Sequence, residues 1–361
     1  MRGVKKIDWY IFRKFIVTFF VALVLIIGIV IIFDISEKID KFARNQAPLN
    51  EIVFKYYLNF VPYFMNMFSP LFVFITVIFF TSKMAGDSEI IAILCGGVSY
   101  QRMLVPYMAA AAIIAGLSLG LNLFVIPEAN QQRLKFENQY IKQRSYNSRL
   151  VHYQIDPGTF VYVESYSTWN NTAYKFTLES VEDNRLVSKL SAESAVWDSL
   201  TTGWRLKNAF IRDYNAGIGD QVRTYKQLDT VINLKREDFY RNKSTVETLP
   251  YRDLRSLIKT QKMRGDANVM YAEIEEHTRF ALPFSAFILT IMGVTLSSRK
   301  KRGGLGWNMA IGIALAFSYI LFLKFSQMFV YTGTLSAAVA LWLPNVLFAL
   351  ITAVLYKLAQ K

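Results

Sequence analysis

The sequence holds a single cysteine, Cys95, among 361 residues. No intramolecular disulfide can form, so an extracytoplasmic domain must be held by its core alone. Histidine is almost as scarce: His152 and His277 are the only two, and they lie far apart without the spacing of a metal site. Gly-Lys-Ser and Gly-Lys-Thr do not occur. A Walker A nucleotide-binding loop is thereby excluded, and if ATP drives this protein the ATPase is another chain. A membrane-bound acyl or sugar transferase would need clustered acid, base or metal-binding side chains near an interface, and none is visible. Acidic residues are the scarcer sign, 27 against 41 Lys and Arg, for a formal net charge of +14. That excess could suit nucleic acid, but the basic clusters lie against the ends of hydrophobic runs, which is a membrane pattern.

What is abundant is apolar. Hydrophobic residues make up 53% of the chain, with 28 Phe and 20 Tyr, above the roughly 45–50% of soluble domains. Uncharged stretches of about 20 residues, the length that spans a bilayer, run from Phe15 to Phe33, Tyr56 to Ser82, Met103 to Pro127, Phe280 to Ser298, Gly303 to Leu323 and Tyr331 to Tyr356. The first has no small-residue cleavage site after it, so it reads as a retained anchor.

The expected fold is a polytopic α-helical membrane protein of six transmembrane helices, three on either side of an inserted all-β domain. Its parts are 1–127 with helices one to three, 128–270 as the β domain, and 271–361 with helices four to six. Lys and Arg near span ends stay in the cytoplasm. Arg2, Lys5, Lys6, Arg13 and Lys14, the loop Arg299-Lys300-Lys301-Arg302, and Lys357 to Lys361 all fall on one side. Both termini are therefore expected in the cytoplasm and the β domain outside.

Strand candidates in that domain are Thr159 to Glu164, Phe176 to Leu178, Leu186 to Leu190, Ser194 to Trp197 and Trp204 to Asp213. Asp156-Pro157-Gly158, Glu182-Asp183-Asn184, Thr202-Gly203 and Asn215-Ala216-Gly217 supply turn residues between them. Short strands at this spacing suggest a sandwich or jelly roll. Leu186, Ser188 and Leu190 alternate as one apolar face requires, either a core or a surface for acyl chains. Asp253 to Arg264, bounded by Gly265, reads as a helix leading back to the membrane.

Between the second and third spans, Ser88-Glu89-Ile90-Ile91-Ala92-Ile93-Leu94-Cys95-Gly96-Gly97 reads as a short helix, about 86–97, capped by Ser88 or its neighbours and ended by the glycine pair. Glu89 falls in its first turn, and Ile90, Ile91, Ile93 and Leu94 form an apolar face. That face can fill a groove on a partner or lie on lipid headgroups.

The run from Ser88 to Ser99 resembles the coupling-helix signature of the LptF/LptG permeases, the membrane subunits of the lipopolysaccharide-export ABC transporter. Three further regions agree. Gly158-Thr159-Phe160-Val161-Tyr162-Val163 looks like the first strand of that family's periplasmic domain. Arg185-Leu186-Val187-Ser188, Ser191-Ala192-Glu193-Ser194-Ala195 and Gly203-Trp204-Arg205-Leu206 look like its middle. Glu273 to Gly293, with His277, Arg279, Phe280, Ala281, Leu282 and Pro283, is similar to the return into the fourth helix. Asp8-Trp9-Tyr10-Ile11 and Leu343-Pro344 lean weakly towards the LptG branch.

The resemblance implies a six-helix half of an inner-membrane transporter whose other half is a homologue. It further implies a periplasmic jelly-roll domain, an LptB-type ATPase dimer that carries the ATP and Mg²⁺, and LptC/LptA-type bridge proteins that receive the lipid. Glu89, with Ile90, Ile93 and Leu94, would seat in the ATPase; otherwise Glu89 is a helix-start carboxylate favoured by the dipole. Lipopolysaccharide phosphates need cations near the outer leaflet, and Lys38, Lys41, Arg44, Arg133 and Lys135 follow the first and third spans. The other reading of each is a snorkelling or solvated charge. Lys324, after a long apolar run in the fifth span, marks a cavity or interface or else snorkels. The first span lacks any basic residue between Phe15 and Phe33, so a basic lipid contact within that helix is absent here. An ABC permease that works on periplasmic partners by mechanical transmission is the nearest alternative, but it would usually carry fewer spans, with its soluble domain after the first.

Overall fold

The computed structural model describes residues 6–141, 147–198, 203–214, 219–232, 234–239, 243–266, 268–298 and 304–359. Arg2, Lys5, the turns at Thr202 and at Asn215-Ala216-Gly217, the basic loop Arg299 to Arg302 and the last residues at Gln360 and Lys361 lie outside them. The chain divides into two compact units. One comprises Met1–Ile141, Glu247–Tyr251 and Glu273–Lys361; the other comprises Lys142–Val246 and Arg252–Ala272.

The first unit is helical. Its elements are α1 (Lys6–Arg44), α2 (Leu49–Glu51), α3 (Leu58–Gly86), α4 (Glu89–Cys95), α5 (Tyr100–Gly120), α6 (Ile126–Phe136) and, after the second unit, α9 (Val269–Ser297), α10 (Gly304–Tyr331) and α11 (Ala337–Ala359). Six helical stretches among the described residues are long and apolar enough to cross a membrane. In lipid every backbone polar group must be satisfied within its own segment, which is why these runs are helices despite many β-branched residues. In α1, the buried residues Ile11, Phe15, Phe19, Leu23 and Ile27 recur every fourth position, so one stripe packs and the remaining surface is left to lipid or to a partner. α3 and α9 form the centre, with 61% and 67% of their spanning windows buried, against 22% for α1 and 28% for α10. Gly293 lets α9 approach α3 closely: a Cβ there would lie 2.9 Å from Val77 Cγ1.

The expected sixth span began at Tyr331. In the structure Tyr331 ends α10, and a turn through Gly333, with φ +71°, precedes α11. Single-turn π segments at Ile52–Tyr57 and Leu121–Val125 interrupt the second and third spanning stretches, and another, Glu137–Ile141, extends the third.

The second unit is built on β1 (Asn147–Asp156), β2 (Thr159–Ser167), β3 (Thr172–Glu182), β4 (Arg185–Asp198), β5 (Gly203–Asp213) and β6 (Gln221–Thr230), followed by α7 (Lys243–Val246), which clusters with it, and α8 (Tyr251–Met263). The strands form one antiparallel sheet in the order β1-β2-β3-β4-β5-β6. The inserted β domain is as expected, and its connections are consecutive hairpins, not the crossings of a two-sheet sandwich. Asp183 and Asn184, both at positive φ, make the two-residue β3–β4 turn. The strands expected at Leu186 to Leu190 and Ser194 to Trp197 are one strand, because Ser191 and Ala192 keep pairing with both β3 and β5.

Val161, Val163, Phe176, Leu206 and Ala209 line the buried face of the sheet. Leu234 and Phe239 cover part of it. Trp204 Nε1 donates to the Leu234 carbonyl at 2.8 Å, and the Phe239 ring stacks on Tyr166 at 4.4 Å. Among the described residues this face is therefore a packed core.

Candidate functional site

Two polar constellations sit at opposite ends of α1, a single helix of 39 residues and so about 58 Å long.

At its amino-terminal end lies α4. The helix is shorter than the expected 86–97, running from Glu89 to Cys95 because Gly86 still belongs to α3, and it does not begin with the expected cap. Ser88 is left-handed, with φ +61°, and its side chain caps nothing; its carbonyl accepts from Ala92 N at 3.0 Å. Gly97, at φ +82°, closes the other end, where Gly97 N donates to the Leu94 carbonyl at 3.1 Å. Glu89 is held by α1. Tyr10 Oη donates to Glu89 Oε2 at 3.0 Å, Lys14 Nζ donates to Tyr10 Oη at 2.7 Å, and Lys14 Nζ lies 3.7 Å from Glu89 Oε2. Lys6, Ile7, Tyr10, Glu89, Ala92 and Ile93 line a shallow, open depression on the surface.

The apolar residues of α4 divide. Ile90 is 1% exposed and packs into the helical core, and Ile93 packs partly against it. Leu94 and Ile91 are 37% and 51% exposed. The expected four-residue docking face is thus reduced: Ile90 points into the protein's own core and is not available to a partner.

At the other end of α1, aromatic rings of Phe42, Tyr56, Tyr57, Phe60 and Phe136 cluster; of the six expected cations, Lys38 touches this cluster, Lys41 and Arg44 lie on the last turns of α1, and Arg133 and Lys135 lie on α6. Lys38 pairs with Asp34 one turn earlier and with the Tyr56 hydroxyl. Tyr57 Oη donates to Asp34 Oδ2 at 3.1 Å, and the Lys38 ammonium stands 5.0 Å from the Tyr56 ring. Arg133 Nε lies 3.6 Å from Glu137 Oε1, with its guanidinium 4.7 Å from the Tyr63 ring. Both cations are largely compensated within the chain. Lys41, Arg44 and Lys135 are exposed. Lys324 stands apart from this group in sequence and setting: it is exposed on α10 between the exposed Leu321, Phe325 and Met328, seven residues before the helix ends.

Sequence reasoning passed over several members. Asp34 and Lys38 have i,i+4 spacing on one helix, a legible signal. Tyr10 and Arg102 gave none, since their partners lie on other helices. A buried polar core was also missed. Asn66 Nδ2 donates to Asn122 Oδ1 at 2.7 Å, Ser118 Oγ donates to Asn66 Oδ1 at 2.5 Å, and Asn122 Nδ2 donates to the Arg279 carbonyl at 3.4 Å. Arg279, 1% exposed, donates through Nε to Glu275 Oε1 at 2.8 Å and through Nη2 to the Leu249 carbonyl at 2.9 Å.

Six helices of membrane-spanning length and composition, an inserted antiparallel β domain and a short, partly exposed helix between the second and third of them define a multi-pass membrane protein. The sequence pattern of the lipopolysaccharide export system permeases LptF/LptG matches residues 9–358, and the chain belongs to that family. The match does not separate LptF from LptG. No match was found among curated protein sequences.

Proposed function

We infer that the chain serves lipopolysaccharide export in general as a transporter subunit, the role its family carries. We propose that the chain is one half of an ABC transporter that extracts lipopolysaccharide from the inner membrane and passes it to periplasmic bridge proteins of the LptC/LptA type. The other half is a homologous permease, and the weak sequence lean makes this chain the LptG member. ATP and Mg²⁺ bind an LptB-type ATPase dimer. The basic residues Lys6, Arg13, Lys14, Lys83, Arg102 and Lys357 support placing α4 and both termini in the cytoplasm, which puts the β domain in the periplasm.

The observation that carries this reading is α4 itself. Glu89 is part-exposed in its first turn, and Leu94 and Ile91 stand out beside it. A cationic side chain in a groove of the ATPase would pair with Glu89 as a charge-assisted hydrogen bond, while Leu94 and Ile91 fill the groove and Ile90 and Ile93 carry the load inward. At the far end, the exposed Lys41, Arg44 and Lys135 meet phosphate oxygens. Lys38 and Arg133, each beside a carboxylate, fix the aromatic cluster and give up a phosphate contact only if that carboxylate moves. Lys324, with its apolar neighbours on α10, faces the lipid or the other half, as do the uncovered sides of α1 and α10.

Purification of the tagged protein from its native membrane in mild detergent, with mass spectrometry of the co-purifying chains, tests the reading. A soluble nucleotide-binding subunit and a homologous six-span partner are expected. Their reproducible absence from intact, folded protein overturns it.

A further inference from the structure

We infer that the first three turns of α1 are a transmission arm: Tyr10 and Lys14 tie α1 to α4, Asp8 and Arg102 tie it to α5, and movement of α4 is passed to α1 through these two pins. This rests on the ATPase-coupling reading of α4 and adds positioning residues to it.

The first pin is the Tyr10 hydroxyl, which bridges Glu89 at 3.0 Å and receives Lys14 at 2.7 Å. Glu89 is thus not a carboxylate waiting in solvent; it is oriented by α1 before any partner arrives. The second pin is Arg102 Nη2, 2.5 Å from Asp8 Oδ2. Arg102 sits in the first turn of α5, on the far side of the turn that ends α4. α1 therefore grips the coupling element on both flanks. Directly beyond the pins, Ile11 and Phe15 are fully buried, so the arm cannot swing without taking the packed stripe of α1 with it. No Pro or π segment lies within α1 to absorb a displacement, and its other end carries the Lys38 cluster.

The second pin also holds room for movement. A guanidinium can hold a carboxylate by two parallel hydrogen bonds. Here Nη2 donates to Asp8 Oδ2, and among the described residues Arg102 Nη1 is buried with no hydrogen-bond partner. A slide of α1 along α5 that brought the carboxylate across both nitrogens would give the pin a second arrangement, the kind of discrete element that carries energetic coupling.

The test uses the whole complex, reconstituted with lipopolysaccharide and an acceptor, and reads lipid released per ATP hydrolysed. Asp8→Arg and Arg102→Asp should each lower that ratio by at least about five-fold, the lower range of ordinary coupling. Co-purification of the ATPase should stay unchanged. The double swap, Asp8→Arg with Arg102→Asp, should restore the ratio. Release and hydrolysis falling in step, loss of the ATPase from the complex, or an unaltered ratio overturns the inference. Tyr10→Phe keeps the ring and removes the donor to Glu89, so it serves where a swap fails to fold: a lowered ratio supports the arm and an unchanged ratio overturns it. Absence of the ATPase from the wild-type complex would instead remove the underlying reading.

Discussion

Arg279 in α9 and Lys175 in β3 each pair with a glutamate, yet their settings are opposite. Arg279 and Glu275 are 2% and 19% exposed, whereas Lys175 and Glu164 are 72% and 43% exposed. In the helical unit, charge and amide groups are buried and tied to one another, because lipid supplies no hydrogen bonds and any broken tie leaves an unpaired group. On the strands of the β unit, pairs such as Lys175–Glu164 and Lys189–Glu179 lie on the watered face of the sheet, where solvent replaces either partner, and the largely buried Arg264–Asp238 pair lies outside the strands. The difference teaches which polar groups hold each unit: side-chain networks in the helices, and an apolar core with backbone ladders in the sheet.

Four changes break or sharpen that contrast. Arg279→Ala leaves Glu275 and the Leu249 carbonyl without their donor. It should cost about 3–5 kcal/mol, the range for breaking a buried pair, seen as a large fall in the thermal midpoint in detergent. Asn66→Ala removes the partner of both Asn122 and Ser118 and should cost about 1–3 kcal/mol by the same measurement, the range for stranding buried polar groups.

In the β unit the effects shrink. The Ser188 hydroxyl, and after it Arg223, hold the Asp213 carboxyl below its ordinary value. Those interactions stabilise the fold above the unfolded carboxyl value near 3.9 and are lost as pH falls through the lower folded value. Asp213→Asn should therefore lessen the acid sensitivity of the β unit below about pH 4, followed by the near-UV signal of its tryptophans. Lys175→Ala, on an exposed pair, should leave the thermal midpoint where it was. A fall as large as that of Arg279→Ala would end the comparison.

Much of this was legible beforehand, and the rest was hidden for physical reasons. Six spans could be read because an apolar run of bilayer length has few other uses. The span of α4 was fixed by local chemistry, with the Gly96-Gly97 pair ending it. The edge strands β1 and β6 were not among those expected: β6, Gln221–Thr230, is almost wholly exposed and shows no apolar alternation, whereas β1 does alternate, burying Val151, Tyr153 and Ile155, a signal that was passed over. Leu186 to Trp197 was split in two because its small polar centre resembles a break until both neighbours pair with it. Of the candidate site, Glu89 was found by position, but the inward turn of Ile90 depends on packing against other helices. The same holds for Tyr10 and Arg102, whose partners lie 79 and 94 residues away. Lys38, expected after the first span, lies within α1 six residues before its end, and Asp34 beside it shows what a search for basic residues alone overlooks.

The most direct test is a pair of substitutions at one carboxylate, with the amount of ATPase recovered on the tagged complex measured by quantitative mass spectrometry. Glu89→Ala should abolish recovery while the permease remains inserted and folded, and Glu89→Gln, which keeps the size and loses the charge, should recover far less than wild type. Full recovery with both substitutions would contradict α4 as the coupling element.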